Sequence, residues 1–353
     1  MRIIGFAGTA KNTGKTTTAL AVLAQCVSAN LATALTSIGF DGENRDHVTG
    51  LPKPRYNVGA GALIATAQKL LRVGSAVVEI RETTAIQTIF GPIMVAEVTK
   101  PGTVVLAGPN RQSDLAVVAA IFERLGADVT LVDGALNRLV PLIGTDALVL
   151  STGASFDERI PVIAEHAAAL ASLWSPHTFA ITLPASLNIQ ILYSDGATAE
   201  IPGGSLLSES AQANLLHSLH HPVHRLVIPF ACHPRLLGLI LERLPGSQLV
   251  LGDPLKCIAS GDPLNWQKVW QDCSRLGVTP SYLHSVPVRL MTVNPFFPRF
   301  IASEHRYEPA YVNSADLVEA VQVGITLFPV MDIRQPPEPN FIRLLDLSPK
   351  EQL

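Results

Sequence analysis

Lys15 and Thr16, with the small residues before them, are the side chains whose types and spacing most directly promise chemistry. The run reads Gly8-Thr9-Ala10-Lys11-Asn12-Thr13-Gly14-Lys15-Thr16-Thr17. A short loop of small residues that ends in Gly-Lys-Thr lets backbone N–H groups close around phosphate oxygens. Lys15 would then reach the β- and γ-phosphates of a nucleotide, and the Thr16 hydroxyl would ligate Mg²⁺. Such a loop needs a strand before it and a helix after it. Ile3-Ile4-Gly5-Phe6-Ala7 is a short apolar run that reads as a buried strand. Lys15 to Ser28 carries Ala19, Leu20, Val22, Leu23 and Val27 at helical spacing, so the loop opens onto a helix N-terminus, where the dipole favours an anion. The expected ligands are ATP and Mg²⁺. No Asn-Lys-x-Asp run of the kind that reads guanine is present, which favours adenine.

Metal and hydrolysis call for carboxylates at strand ends. Asp133 follows the apolar run Val129-Thr130-Leu131-Val132 and fits the Walker B position, holding Mg²⁺ beside Thr16. The alternative is an ordinary Asp-Gly turn with Gly134. Asp41 and Glu43 follow the run Ala34–Ile38, in a loop expected to face the γ-phosphate and to supply a carboxylate for metal or water, although Gly42 also suits a solvated turn. Lys15, Asp41 and Glu43 are therefore the candidate catalytic residues, with Thr16, Asp41 and Asp133 as metal ligands. Ala107–Asn110 and Ser151–Ser155 also end strands, and either could border a ligand or simply turn. Thr49-Gly50-Leu51-Pro52-Lys53-Pro54-Arg55 is stiffened by two prolines and suits an anion, an acidic partner or an exposed loop. His217, His220, His221 and His224 would share a helical face and could bind metal, but Pro222 interrupts that helix. Thr292–Pro298 ends a strand with Asn294 and aromatics that could cradle a flat ring or pack between elements.

The elements that must position these residues alternate between apolar runs and helical segments, which predicts a largely parallel sheet flanked by helices. Further strands are expected at Ile93–Val98, Val104–Ala107 and Ala147–Leu150. Helices are expected near Gly61–Arg72, Ser113–Leu125 and Pro161–Leu173. The length of 353 residues suggests two domains. The boundary is placed near Ser175-Pro176, giving a P-loop NTPase domain over 1–175 and a second α/β domain over 176–353. That second region is expected to hold strands at Phe179–Leu183, Arg225–Phe230, Gln248–Leu251 and Val288–Val293. It should also hold a hairpin at Ser194-Asp195-Gly196 and helices at Arg235–Leu244 and Trp266–Leu276.

A net charge of −3 with both signs dispersed offers no basic footprint for nucleic acid. No apolar stretch approaches the roughly 18 residues of a spanning helix, and the glycine loop stands where a signal peptide would be. Cys26, Cys232, Cys257 and Cys273 have no C-x-x-C spacing and read as buried thiols of a reducing, cytoplasmic protein.

With Gly8 one residue earlier than the strict pattern places its first glycine, the loop resembles that of dethiobiotin synthetase and its relatives among the P-loop NTPases that include the MinD-type ATPases. Lys11 lies four residues before Lys15, whereas the signature lysine of MinD-type loops lies five before. The stretches Thr36–Glu43, Thr49–Arg55, Val132–Arg138 and Thr145–Ala154 further resemble the reactivase of adenosylcobalamin-dependent lysine 5,6-aminomutase, a family of lysine degradation, over about residues 1–160. That resemblance implies an ATP- and Mg²⁺-dependent, chaperone-like factor that exchanges damaged cobalamin on the aminomutase and works with a second ATPase subunit. A carboxylate ligase similar to dethiobiotin synthetase is the competing class, although the glycine pair that follows the Walker B strand in those families is missing after Asp133-Gly134. A nucleotide-switched partner-binding protein is the third.

Overall fold

The structure, a computed structural model, describes residues 1–41, 55–134, 139–178, 188–202, 206, 209–335 and 340–347, with the backbone only for Asp41, His177 and Thr178. It divides into two compact units, Met1–Glu165 with Val286–Leu353, and His166–Ser285.

In the first unit the chain forms β1 (Arg2–Gly8), α1 (Lys15–Ser28), β2 (Thr33–Ser37), β3 (Phe40–Asp41), β4 (Tyr56–Val58), β5 (Leu63–Ala67) and β6 (Val77–Thr88). It continues through β7 (Gly91–Lys100), β8 (Gly102–Val104), β9 (Leu106–Ala107), α2 (Gln112–Arg124), β10 (Val129–Asp133) and β11 (Ala147–Gly153). Within α3 (Ile160–Ser172) the chain passes into the second unit. There it forms β12 (His177–Thr178), β13 (Ile189–Tyr193), β14 (Thr198–Ile201), α4 (Glu209–Ser218), β15 (Val223–Ile228) and α5 (Pro234–Ile240). The unit closes with β16 (Gln248–Leu251), α6 (Pro254–Ser260), α7 (Pro263–Leu276) and β17 (Thr279–Tyr282). The chain then returns to the first unit as β18 (Val288–Asn294), β19 (Phe296–Ile301), β20 (Arg306–Tyr311), α8 (Ser314–Val323), β21 (Val330–Asp332) and α9 (Phe341–Leu344).

A nine-stranded sheet in the order β21-β18-β11-β1-β10-β2-β5-β7-β6 carries the first unit. Neighbours from β21 to β5 run parallel, and the β6–β7 hairpin closes the edge antiparallel. The inner strands are buried along their whole length, β2, β10 and β11 at every residue, as expected where helices cover both faces. Side chains alternate between two cores. Leu35 and Ile64 face α1 through Ala19, Val22, Leu23 and Cys26. Ala34, Leu63 and Ala65 face α2 through Val118, Ile121 and Phe122. The second unit has its own sheet, β12-β17-β16-β15-β13-β14, parallel from β12 to β15 and antiparallel at β13 and β14.

Helix Lys15–Ser28 has the bounds its periodicity predicts, and Ser113–Leu125, Pro161–Leu173 and Trp266–Leu276 correspond to α2, α3 and α7. The expected hairpin at Ser194-Asp195-Gly196 joins β13 to β14, with Gly196 at φ 89°. Phe179–Leu183 lies outside the described residues. Two expectations are corrected. The segment Gly61–Arg72 is not a helix: Leu63–Ala67 is a fully buried strand between β2 and β7, followed by one 3₁₀ turn. Sheet pairing overrides the helical bias of its alanines and leucines. The second α/β unit does not run on to the C-terminus. It ends at Ser285, and β18 and β21 extend the first sheet beyond β11, because the apolar Val288–Val293 run buries itself against β11 in parallel register.

Leu290 measures what that returning segment contributes: it is fully buried, opposite Val149, in the core shared with Ile4, Phe6 and Leu131. Leu290→Ala is expected to destabilise the first unit by about 2–5 kcal/mol, read as an earlier urea midpoint by circular dichroism. An unchanged midpoint would contradict the placement of β18 in this core.

Candidate functional site

The carboxyl ends of the parallel strands line up along one edge. Phe6 stands in register with Asp133, Asp133 with Ser37, Gly8 with Ser151, Gly153 with Asn294, and Val293 with Asp332. From β1 the chain reaches β2 beyond β10, whereas from β10 it crosses β1 to reach β11, so the strand succession reverses at β1. In open α/β sheets such a reversal opens a crevice at the carboxyl edge.

The glycine loop fills this position. Thr9 N–H donates to the Ser151 carbonyl at 2.9 Å, and the Thr9 hydroxyl donates to Thr152 Oγ1 at 3.0 Å. Thr13, almost fully buried, turns its hydroxyl back to the Ala10 carbonyl at 3.0 Å. Asn12, at φ 63°, receives a hydrogen bond on its carbonyl from Asn294 Nδ2 at 3.0 Å. Gly14 stands at φ 91°, where a Cβ would lie 3.2 Å from the Asn294 Cβ, so both backbone conformation and space call for glycine. It precedes α1 with no side-chain cap, and the first turn of the helix holds no acidic residue. The leading N–H groups therefore stand at the carboxyl edge of the sheet as an uncapped, positively polarised end. Lys11 is exposed, and Thr17 is half-buried on the first turn of α1.

Asp133 ends β10 beside this helix and is only 2% exposed. Lys15 Nζ forms an ion pair with its Oδ1. The Thr16 hydroxyl donates to its Oδ2 at 3.3 Å, and the Tyr56 hydroxyl donates to the same oxygen at 2.7 Å. Lys15, Thr16 and Asp133, named from the sequence, are thus brought together. One ammonium, one carboxylate and one hydroxyl converge at a helix N-terminus, a set that suits an anion bound through a hard cation. Beneath it, hydroxyls stitch α1 to β11 and β18: Thr18 Oγ1 donates to the Gly14 carbonyl at 3.0 Å and lies 2.9 Å from Thr292 Oγ1, itself 2.9 Å from Ser151 Oγ. Asp332, beside Asn294 at the sheet edge, is pushed up by burial. Its hydrogen bonds from Arg334 and Ser314 outweigh that and hold it below the usual carboxylate range.

Neither a protein-family model nor a curated protein matches this chain at a significant level. The chemistry of the site therefore rests on its own residues.

Of the other candidates, Asp41 lies in β3, whose backbone pairs with β9 at Leu106. Glu43, the Thr49–Pro54 stretch with Lys53, and residues 135–138 lie outside the described residues, and Arg55 is exposed just before β4. Gly108 and Pro109 are tied to the end of β2: Gly108 N–H donates to the Gly39 carbonyl at 3.1 Å, and Gly39 N–H to the Pro109 carbonyl at 3.3 Å. Asn294 does not open onto an aromatic cradle. It supports the glycine loop, while Phe296 packs edge-on against Tyr311 across the β19–β20 hairpin. The four histidines do not share a helix face, because α4 ends at Ser218 and His224 lies in β15. His217, His220 and His221 stack at 5.5 and 4.0 Å. Among the described residues no group of three or more His, Cys, Asp or Glu could hold a metal ion, and no helix is long and apolar enough to cross a membrane. Sequence reasoning missed Tyr56 and Thr18. Only the tyrosine's place directly after the proline-rich stretch could have drawn attention to it.

The cysteines lie apart from this chemistry. All are free and buried, and burial pushes the Cys26, Cys232 and Cys273 thiols up to about 12, with Cys257 also held well above its ordinary value. A raised thiol pKa keeps the protonated form, so little thiolate is present at pH 8. Native protein should therefore react negligibly with a thiol-exchange reagent at pH 8 and release all four thiols in denaturant. Rapid reaction of any cysteine in the native protein would contradict this burial.

Proposed function

We propose that this chain is a Mg²⁺-dependent P-loop nucleoside triphosphatase that uses ATP. The observation that carries the reading is the convergence of Lys15 and Thr16, at the uncapped start of α1, on the buried Asp133 at the end of the adjacent strand. In this reading the N–H groups of Gly14, Lys15 and Thr16 bind phosphate oxygens, and Lys15 leaves Asp133 to pair with the β/γ-phosphates. Thr16 and Asp133 would hold Mg²⁺, which would supply positive charge to offset that of the phosphates. Asp41, whose backbone ends β3, is the sequence's candidate for orienting the attacking water or adding a metal ligand. The lack of an Asn-Lys-x-Asp run supports ATP over GTP.

Lys15 is paired to Asp133, so in this reading entry of the phosphates exchanges one ion pair for another. The resemblance to the aminomutase reactivases implies an ATPase whose closed state is favoured by a partner. The missing glycine pair after Asp133 favours this coupling over the ligase alternative.

Lys15→Ala should weaken ATP binding roughly ten- to hundredfold, since one charge-assisted contact contributes about 1.5–3 kcal/mol. Asp133→Asn should reduce the Mg²⁺-dependent part of turnover. Titration calorimetry and phosphate release measure the two, and wild-type affinity in Lys15→Ala would remove the proposal. Phosphate release should be slow for the chain alone and rise on adding an inactivated cobalamin-dependent aminomutase with its second ATPase subunit. Partner-free conversion of a small carboxylate to an acyl phosphate or amide, with stoichiometric ADP, would install the ligase in its place.

A further inference from the structure

Resting on the nucleotide reading above, we propose that Tyr56 is a positioning residue for the Asp133 carboxylate and thereby sets how strongly Mg²⁺ promotes nucleotide binding. Tyr56 is 6% exposed, and its hydroxyl lies 2.7 Å from Asp133 Oδ2, the oxygen that also accepts from Thr16 at 3.3 Å. An ionised carboxylate only accepts, so the phenol donates, and the Thr16 hydroxyl keeps its lone pairs outward for a cation once its proton points at Asp133. With Lys15 on Oδ1 and Tyr56 on Oδ2, the carboxylate is held from both oxygens. When Lys15 turns to phosphate, the Tyr56 hydrogen bond continues to fix the carboxylate plane toward Thr16.

The backbone around Tyr56 is built to keep it there. Tyr56 and Val58 face the α1-side core while Asn57 faces out, and β4 pairs antiparallel with β8, Tyr56 opposite Val104. The same stretch continues into β9, which pairs with β3 at Phe40 and Asp41. One segment, Gly102–Ala107, thus fixes both the phenol that orients Asp133 and the backbone of Asp41. Groups that orient a metal ligand through a hydrogen bond typically change metal affinity about 10- to 100-fold when removed.

Tyr56→Phe keeps the ring in the core and deletes one O–H. Calorimetry with a non-hydrolysable ATP analogue, in EDTA and in Mg²⁺, should give wild-type affinity without metal and about a tenfold smaller enhancement by Mg²⁺. The Mg²⁺ concentration for half-maximal phosphate release should rise by a similar factor. Val58→Ala, which disturbs the same strand without touching the carboxylate, should leave the Mg²⁺ enhancement unchanged, and Tyr56→Phe combined with Asp133→Asn should lose no more of it than Asp133→Asn alone. A Tyr56→Phe variant with wild-type Mg²⁺ enhancement overturns the proposal. So does an equal loss in Val58→Ala, or additive losses in the double variant. If the folded wild-type chain binds no analogue at all, the nucleotide reading fails and this proposal with it, a result distinct from intact binding with an unaltered Mg²⁺ response.

Discussion

A buried carboxylate governs this structure. Asp133 ends a strand enclosed on both faces and keeps almost no contact with solvent. An ionised group there is tolerable only if neighbours replace its hydration, and removal of a partner from such a pair typically costs about 3–5 kcal/mol. The fold answers with groups from two separate elements, Lys15 and Thr16 from α1 and Tyr56 from β4. Each of those elements is held in place by its own pairing or packing. The order of the sheet follows from the same demand: β10 must lie beside β1 for the helix after β1 to start over Asp133.

Helix α1 and the strands beneath it carry hydroxyls where a purely apolar core would carry valine. Thr18, Ser151 and Thr292 exchange hydrogen bonds in the interior, and Thr36 donates to the Ala65 carbonyl at 3.1 Å. Threonine keeps the β-branched shape that packs between sheet and helix, and its hydroxyl satisfies a neighbouring group. The glycine loop therefore rests on a floor with fixed geometry, and Asn294 buttresses it from the side. A loop held in this way approaches a ligand with its backbone already ordered, which lowers the conformational cost of closing around it.

What the sequence discloses, and what it hides, divides along the range of the interactions. The helix Lys15–Ser28 and the strand before it are legible because their signals are local: apolar spacing, a Gly-Lys-Thr start, and no competing pattern. Asp133 is legible because a carboxylate that closes a buried strand must be met there by an opposite charge or a cation. Leu63–Ala67 suggests a helix because alanine and leucine fit both periods, and only the neighbours β2 and β7 decide between them. The unit to which β18 belongs is hidden, because adjacency along the chain is a poor guide once a whole unit is inserted between two strands of one sheet. Apart from its place after the proline-rich stretch Tyr56 is hidden, since the oxygen it bonds lies 77 residues away.

That insertion has a consequence for the order in which the molecule is made. The hydrogen bond from Asn294 to Asn12 joins residues 282 apart, and the Thr18–Thr292 contact spans 274. During synthesis the glycine loop and α1 emerge first, yet the strand that props them arrives only after the whole His166–Ser285 unit has been translated. Contacts of such separation are closed late and slowly. Until they close, β11 presents an unpaired and largely apolar edge, the kind of surface on which nascent chains aggregate.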